Sequence, residues 1–67
     1  MTNDLKWLKE ARQARRLTTY EVAAKAGISQ GYYSQIENGA RNVSVPIAKK
    51  IAAVLLFDWT AFFRDVA

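Results

Sequence analysis

Apolar positions along this chain recur at helical intervals over most of its length. Within residues 4–16, Leu5, Leu8 and Ala11/Arg12 fall at three-and-four spacing, which predicts an amphipathic helix with one inward stripe. Thr2 or Asn3 offers its cap, and Asp4 suits the positive end of the helix dipole. Lys6, Lys9 and Arg16 face water. Leu17 then leads into a new start signal, Thr18-Thr19-Tyr20-Glu21, a capping box with Thr18 as cap and Glu21 three residues later. Val22, Ala23 and Ala26 follow on this second helix, Glu21 and Lys25 make a favourable i,i+4 pair, and Gly27 ends it in a left-handed turn.

Ser29 gives a fresh cap, and a third helix runs from about Gln30 to Asn38, where Gly39 stops it. After the exposed loop Gly39-Ala40-Arg41-Asn42-Val43, Ser44 caps a fourth helix with Pro46 in its first turn. Ile47, Ile51, Val54 and Leu55 form its buried stripe, with Lys49 and Lys50 on the other side. Asp58 caps a last short helix from Trp59 to about Asp65. The absence of sustained alternation and of hairpin dipeptides argues against strands. The expectation is an all-α fold of about five short helices, a single domain over residues 1–67. Residues 18–38 have the layout of a helix-turn-helix: short helix, tight glycine-containing turn, short helix.

Composition narrows the chemistry. A chain of 67 residues buries only about 60% of the surface its unfolded form exposes, so its stability is marginal. It has no cysteine and no histidine, which removes disulfides, the usual zinc and iron–sulfur ligands, and the common nucleophile–base pairs. Its carboxylates are scattered, and its glycines are too dispersed for a phosphate loop. No catalytic residue, metal or cofactor is expected. Ten basic against six acidic residues give a net charge of +4, which favours a polyanionic partner. No apolar run approaches the ~20 residues of a membrane span, and MTNDLKW lacks the layout of a signal peptide. A cytoplasmic protein without a membrane partner is expected.

One stretch, LTTYEVAAKAGISQGYYSQIENGARN, goes further. Leu17-Thr18, Val22-Ala23, Gly27-Ile28-Ser29 and Ile36-Glu37-Asn38-Gly39 stand at the mutual distances of one known pattern. The chain resembles, over about residues 5–63, the Cro and lambdoid phage-repressor family of helix-turn-helix DNA-binding domains. The resemblance implies a lambda-repressor-like fold and sequence-specific binding of double-stranded DNA by a repressor-like transcriptional regulator. It implies a symmetric homodimer with residues 29–38 in the major groove. By position it assigns Gln30, Gly31, Ser34 and Gln35 to base edges, where glutamine is suited to adenine N6 and N7. It assigns Thr19, Tyr20, Ser29, Tyr32, Asn38, Arg41 and Asn42 to backbone or mixed contacts. Ile28, Tyr33 and Ile36 match inward positions, with the Tyr33 hydroxyl expected to reach water. Arg12 and Glu37 match a partly buried structural ion pair.

Departures from the family pattern carry their own expectations. Thr19 replaces a common glutamine, so glutamine–glutamine bracing of Gln30 is expected to be lost. Gly31 gives up a side chain at a base-reading position, Val43 replaces a loop proline, and Leu56 stands where glycine normally ends the fourth helix. Trp59, Phe62 and Phe63 are more aromatics than one core edge needs. At least one is expected to be exposed, which makes the tail 57–67, with Phe57, Trp59, Phe62 and Phe63, the expected dimer interface. The rival reading is a helical protein–protein interaction module, an antirepressor-like adaptor that keeps the fold without binding DNA. Thr19 and Gly31 leave it open; the net charge and the Gln30/Gln35 pair count against it.

Overall fold

The computed structural model describes residues 4–64. These form four α-helices, α1 (Lys6–Ala14), α2 (Thr19–Ala26), α3 (Gln30–Glu37) and α4 (Val45–Leu55), closed by a 3₁₀ turn (Trp59–Phe63). Among the described residues there is no strand and no helix long and apolar enough to cross a membrane. Helices of eight to eleven residues are too short to persist alone in water. Packing holds them: Leu8, Val22, Ala23, Ala26, Tyr33, Ile36, Ile51 and Leu55 make one buried cluster drawn from all four helices.

Local chemistry explains three of the four helix starts. Thr18 Oγ1 accepts from the Glu21 N–H at 3.1 Å while Glu21 Oε1 accepts from the Thr18 N–H at 2.9 Å. Ser29 Oγ accepts from Tyr32 N–H at 3.1 Å, and Ser44 Oγ from Ile47 N–H at 3.4 Å. Gly27 ends α2 at φ 75°, a conformation that costs a side-chain-bearing residue about 1–2 kcal/mol. Asp58 accepts from Thr60 N–H at 3.0 Å and opens the 3₁₀ turn.

The first helix departs from its expected form. It begins at Lys6, and the residue before it, Leu5, makes no side-chain cap. The Leu5 N–H instead donates to the Glu37 carbonyl at 2.7 Å, so the end of α3 positions the start of α1. Thr2 and Asn3 lie outside the described residues, and Asp4 precedes the helix. The C-terminal end comes early too. Arg16 adopts φ 57°, and the Leu17 N–H closes back on the Arg12 carbonyl at 3.3 Å. The expected stripe on α4 is also redistributed. Ala48 and Ala52 are buried with Ile51 and Leu55, whereas Ile47 and Val54 are half-buried.

A second cluster closes the base. Trp7 meets Phe57 and Phe62 edge-on, with ring centroids 5.3 and 5.1 Å away. Sequence reasoning did not single out Trp7; its i,i+4 partner Ala11, beside Leu8 on one side of α1, was the available signal. Leu56 ends α4 at φ 60°, ψ 51°, the left-handed turn that its place in the pattern required.

Candidate nucleic-acid interface

The third helix presents two faces. Tyr33, Ile36 and Glu37 are buried. Gly31, Ser34, Gln35 and Asn38 therefore line up at i, i+3, i+4 and i+7 on the opposite side. Gln30, Gly31, Gln35 and Asn38 are exposed and Ser34 is half-buried. The four residues assigned to base edges thus share one outward surface. Ser29 stands at its entrance, its hydroxyl oxygen committed to the cap.

This helix is anchored through a buried carboxylate. Glu37 Oε2 accepts from Arg12 Nε at 2.7 Å and from the Tyr33 hydroxyl at 2.6 Å. A second guanidinium nitrogen of Arg12 donates to the Leu17 carbonyl at 2.9 Å. One network thereby joins α1, the chain entering α2, and α3. The Tyr33 hydroxyl was expected to reach water; it does not, because the ring is fully buried and Glu37 lies one helical turn away. Burial first, and then the bond to Glu37, pushes the Tyr33 hydroxyl well above its ordinary range, so it remains a donor. The Glu37 hydrogen bond is the largest cause raising the Arg12 pKa, so the guanidinium stays charged.

Both exposed glutamines are held. Gln30 Nε2 donates to Thr19 Oγ1 at 2.9 Å. Glutamine–glutamine bracing is absent, yet Gln30 is braced all the same, because a threonine at the start of α2 has enough reach to meet the first residue of α3. Gln35 Oε1 accepts from Arg41 Nε at 3.0 Å. The Arg41 guanidinium also sits over the Tyr32 ring, 5.3 Å from its centroid. Tyr32 itself is half-buried against the core. Neither glutamine contact was visible in the sequence, since each pairs residues on different elements.

The other expected contact residues differ in exposure. Tyr20 is 65% exposed, Asn42 is exposed, and Thr19 is half-buried beside Gln30. Gly31 has neither a positive φ nor a neighbour within 4 Å of where a Cβ would stand, so nothing inside the protein requires glycine there. In the tail, Phe57 and Phe62 are engaged within the chain on Trp7. The apolar surface left open there consists of Leu56, 70% exposed, and Phe63, 37% exposed, with half-buried Trp59 between Phe63 and Lys49. Residues 65–67 of the expected interface lie outside the described residues.

Comparison with known proteins agrees with this geometry. The helix-turn-helix family model matches residues 8–60. The HTH-type transcriptional regulator YqaF of Bacillus subtilis (strain 168) is 52% identical over 61 residues, covering 91% of this chain and 80% of the relative. Control protein C.MunI of Mycoplasma sp is 38% identical over 64 residues, covering 96% and 84% respectively. A chain in the SinR protein/SinI protein complex superposes with a TM-score of 0.81 at 28% identity, covering 90% of this chain; the match spans 59% of that chain. With its two short helices set by a Thr18 capping box and a left-handed Gly27, and the recognition helix turned polar side outward, the chain belongs to the Cro-like helix-turn-helix family of DNA-binding transcription regulators.

Proposed function

We propose that the chain is a repressor-like regulator that binds an operator as a homodimer in the cytoplasm, with residues 29–38 of each copy in the major groove. One observation carries this reading: the outward stripe Gly31, Ser34, Gln35 and Asn38 on α3, backed by the buried Tyr33, Ile36 and Glu37. Gln30, Gly31, Ser34 and Gln35 face base edges. Arg41, Asn42, Tyr20, Tyr32, Ser29, Thr19 and Asn38 hold the surrounding sugar–phosphate. Lysines and arginines elsewhere add a diffuse attractive field.

A single recognition helix reads too few base pairs for selective binding in a genome, and a two-fold partner supplies the second half-site about one turn (~34 Å) away. Leu56, Phe63 and the open side of Trp59 offer an apolar surface on which such a self-complementary pairing could form.

The decisive experiment is a binding titration with Gln30→Ala and Arg41→Ala at several salt concentrations. The parent dimer, neutralising about 6–10 phosphates, loses roughly three to five decades of affinity between ~50 and ~200 mM salt. Gln30→Ala costs about 1–3 kcal/mol on the operator and relaxes one base pair. Arg41→Ala weakens every sequence and flattens the salt slope. A salt-independent response, or an equal loss on operator and random duplex for Gln30→Ala, defeats the proposal.

A further inference from the structure

We infer that Arg41 is a positioning residue for specificity: it fixes which end of the Gln35 amide meets the bases. The inference rests on the reading above, in which Gln35 faces the groove. Arginine has only donors, whereas a glutamine amide has an acceptor at one end and donors at the other. Arg41 Nε therefore binds Gln35 through Oε1 alone, at 3.0 Å. Flipping the amide would set its NH₂ against a guanidinium N–H and break the bond. Tyr32, with the guanidinium 5.3 Å from its ring centroid, holds the plane of Arg41 in place.

Gln30 is braced differently. Its partner, the Thr19 hydroxyl at 2.9 Å, both donates and accepts. Gln30 keeps that bond whichever way its amide faces. The two glutamines are accordingly unequal readers. Gln30 adapts to the base it meets. Gln35, with its oxygen turned to the loop, leads with its NH₂ and favours base acceptors, namely guanine O6 and N7 or thymine O4. The two-bond pairing with adenine needs the oxygen turned towards the base as well, and Arg41 turns it to the loop. The remaining N–H groups of Arg41 are free for a phosphate, so one guanidinium links the grip on the backbone to the reading of a base.

The test is selection of bound half-sites from random duplex at low salt, using the full chain and three variants. Gln35→Ala marks the base pair that Gln35 reads. There the parent selects guanine or thymine by roughly fivefold or more. Arg41→Met weakens binding to all sequences, and it also levels that preference or admits adenine, while the base pair lost in Gln30→Ala stays as in the parent. Gln35→Glu, still held by Arg41, turns the preference towards the cytosine amino group. Circular dichroism confirms that each variant is folded. An Arg41→Met protein that loses affinity but keeps the parental preference at that base pair overturns the lock alone, leaving Arg41 a phosphate ligand. A parent that selects adenine there overturns it too. A Gln35→Ala protein with no altered base preference overturns both the lock and the assignment of Gln35 to bases.

Discussion

One position in the helix-turn-helix, residues 18–38, and one in the tail from Leu56 to Arg64 go against backbone preference in opposite senses. In the first, Gly31 occupies a helical position where the backbone is ordinary and a Cβ would meet nothing within 4 Å. In the second, Leu56 occupies a left-handed turn at φ 60° that glycine would adopt without strain. Neither choice favours the isolated fold. Under the proposed function, both are accounted for by surfaces that approach from outside: DNA close against Gly31, and a second copy against the 70% exposed Leu56 side chain. On that proposal, each region gives up some monomer stability at the point where it meets a partner.

The largest effect belongs to the network that holds the helix-turn-helix together. Glu37→Ala leaves Arg12 partly buried without its partner and the Tyr33 hydroxyl without its acceptor. The expected loss is about 3–5 kcal/mol, a large part of the stability of a domain this small. Thermal melts of Arg12→Ala, Glu37→Ala and the double variant check it. The double variant falls short of the sum of the singles, because all three side chains act as one unit. Strict additivity would show that the contact carries no energy.

Next comes the division of the tail into an inner and an outer part. Trp7→Ala removes the ring on which Phe57 and Phe62 both lean. Since Trp7 is only half-buried, the expected cost is about 2–3 kcal/mol, below that of a fully buried tryptophan. Phe63→Asp touches a ring already 37% exposed; it changes the melt by within about 0.5 kcal/mol and dissociates the proposed dimer in sedimentation. If Phe63→Asp unfolds the chain, or leaves the dimer intact, the outer part is not an interface.

How much of this was legible depended on distance along the chain. The Thr18–Glu21 box, the Ser29 and Ser44 caps and the Gly27 turn each involve residues within a few positions, and local chemistry specifies them. The start of α1 was misjudged because a carbonyl at Glu37, not a local cap, holds Leu5. The Trp7 cluster joins residues some fifty positions apart, which no periodicity encodes. On the recognition surface, the outward stripe followed from helical spacing and family resemblance. The Gln30–Thr19 and Gln35–Arg41 bonds depend on side-chain reach once α2, α3 and the loop are in place, and the sequence contains no sign of that.

The glycine contrast can be tested by exchanging the two choices. Leu56→Gly relieves about 1–2 kcal/mol of left-handed strain, partly offset by the greater freedom of an unfolded glycine, for a net gain near ~1 kcal/mol. The same change weakens the proposed dimer. Gly31→Ala raises stability by about 0.5–1 kcal/mol through helix propensity, and it lowers DNA affinity by holding α3 away from the groove. Melts and binding titrations on both variants give opposite signs within each residue. A Gly31→Ala protein that binds DNA as well as the parent removes close approach as the reason for glycine. A Leu56→Gly protein that is less stable shows that the leucine packs usefully within the monomer.

The smallest effect compares the caps of the two regions in acid. Glu21 lies below its ordinary value of 4.5, mainly because its carboxylate accepts the Thr18 N–H and then the Thr18 hydroxyl bond. Asp58 lies below 3.8 for the corresponding reason, the Thr60 N–H. A carboxyl lowered by folding stabilises the native state fully above its unfolded value. That contribution disappears as the pH falls through the lowered native value. Stability therefore declines below about pH 4.5 through Glu21, and at slightly lower pH through Asp58. Both side chains are exposed, so the slopes are shallow. Glu21→Gln and Asp58→Asn each remove their own part of the acid decline while retaining an oxygen to accept the cap bond. Melts monitored by helicity, with tryptophan fluorescence in parallel for Trp7 and Trp59, separate the two regions. Glu21→Gln alters the acid limb of both signals together, because α2 is part of the single core. Asp58→Asn alters the fluorescence signal more than helicity if the tail frays before the core. Identical shifts in the two signals would mean that the tail and the helix-turn-helix unfold as one unit, and that their contrast is confined to what each presents to a partner.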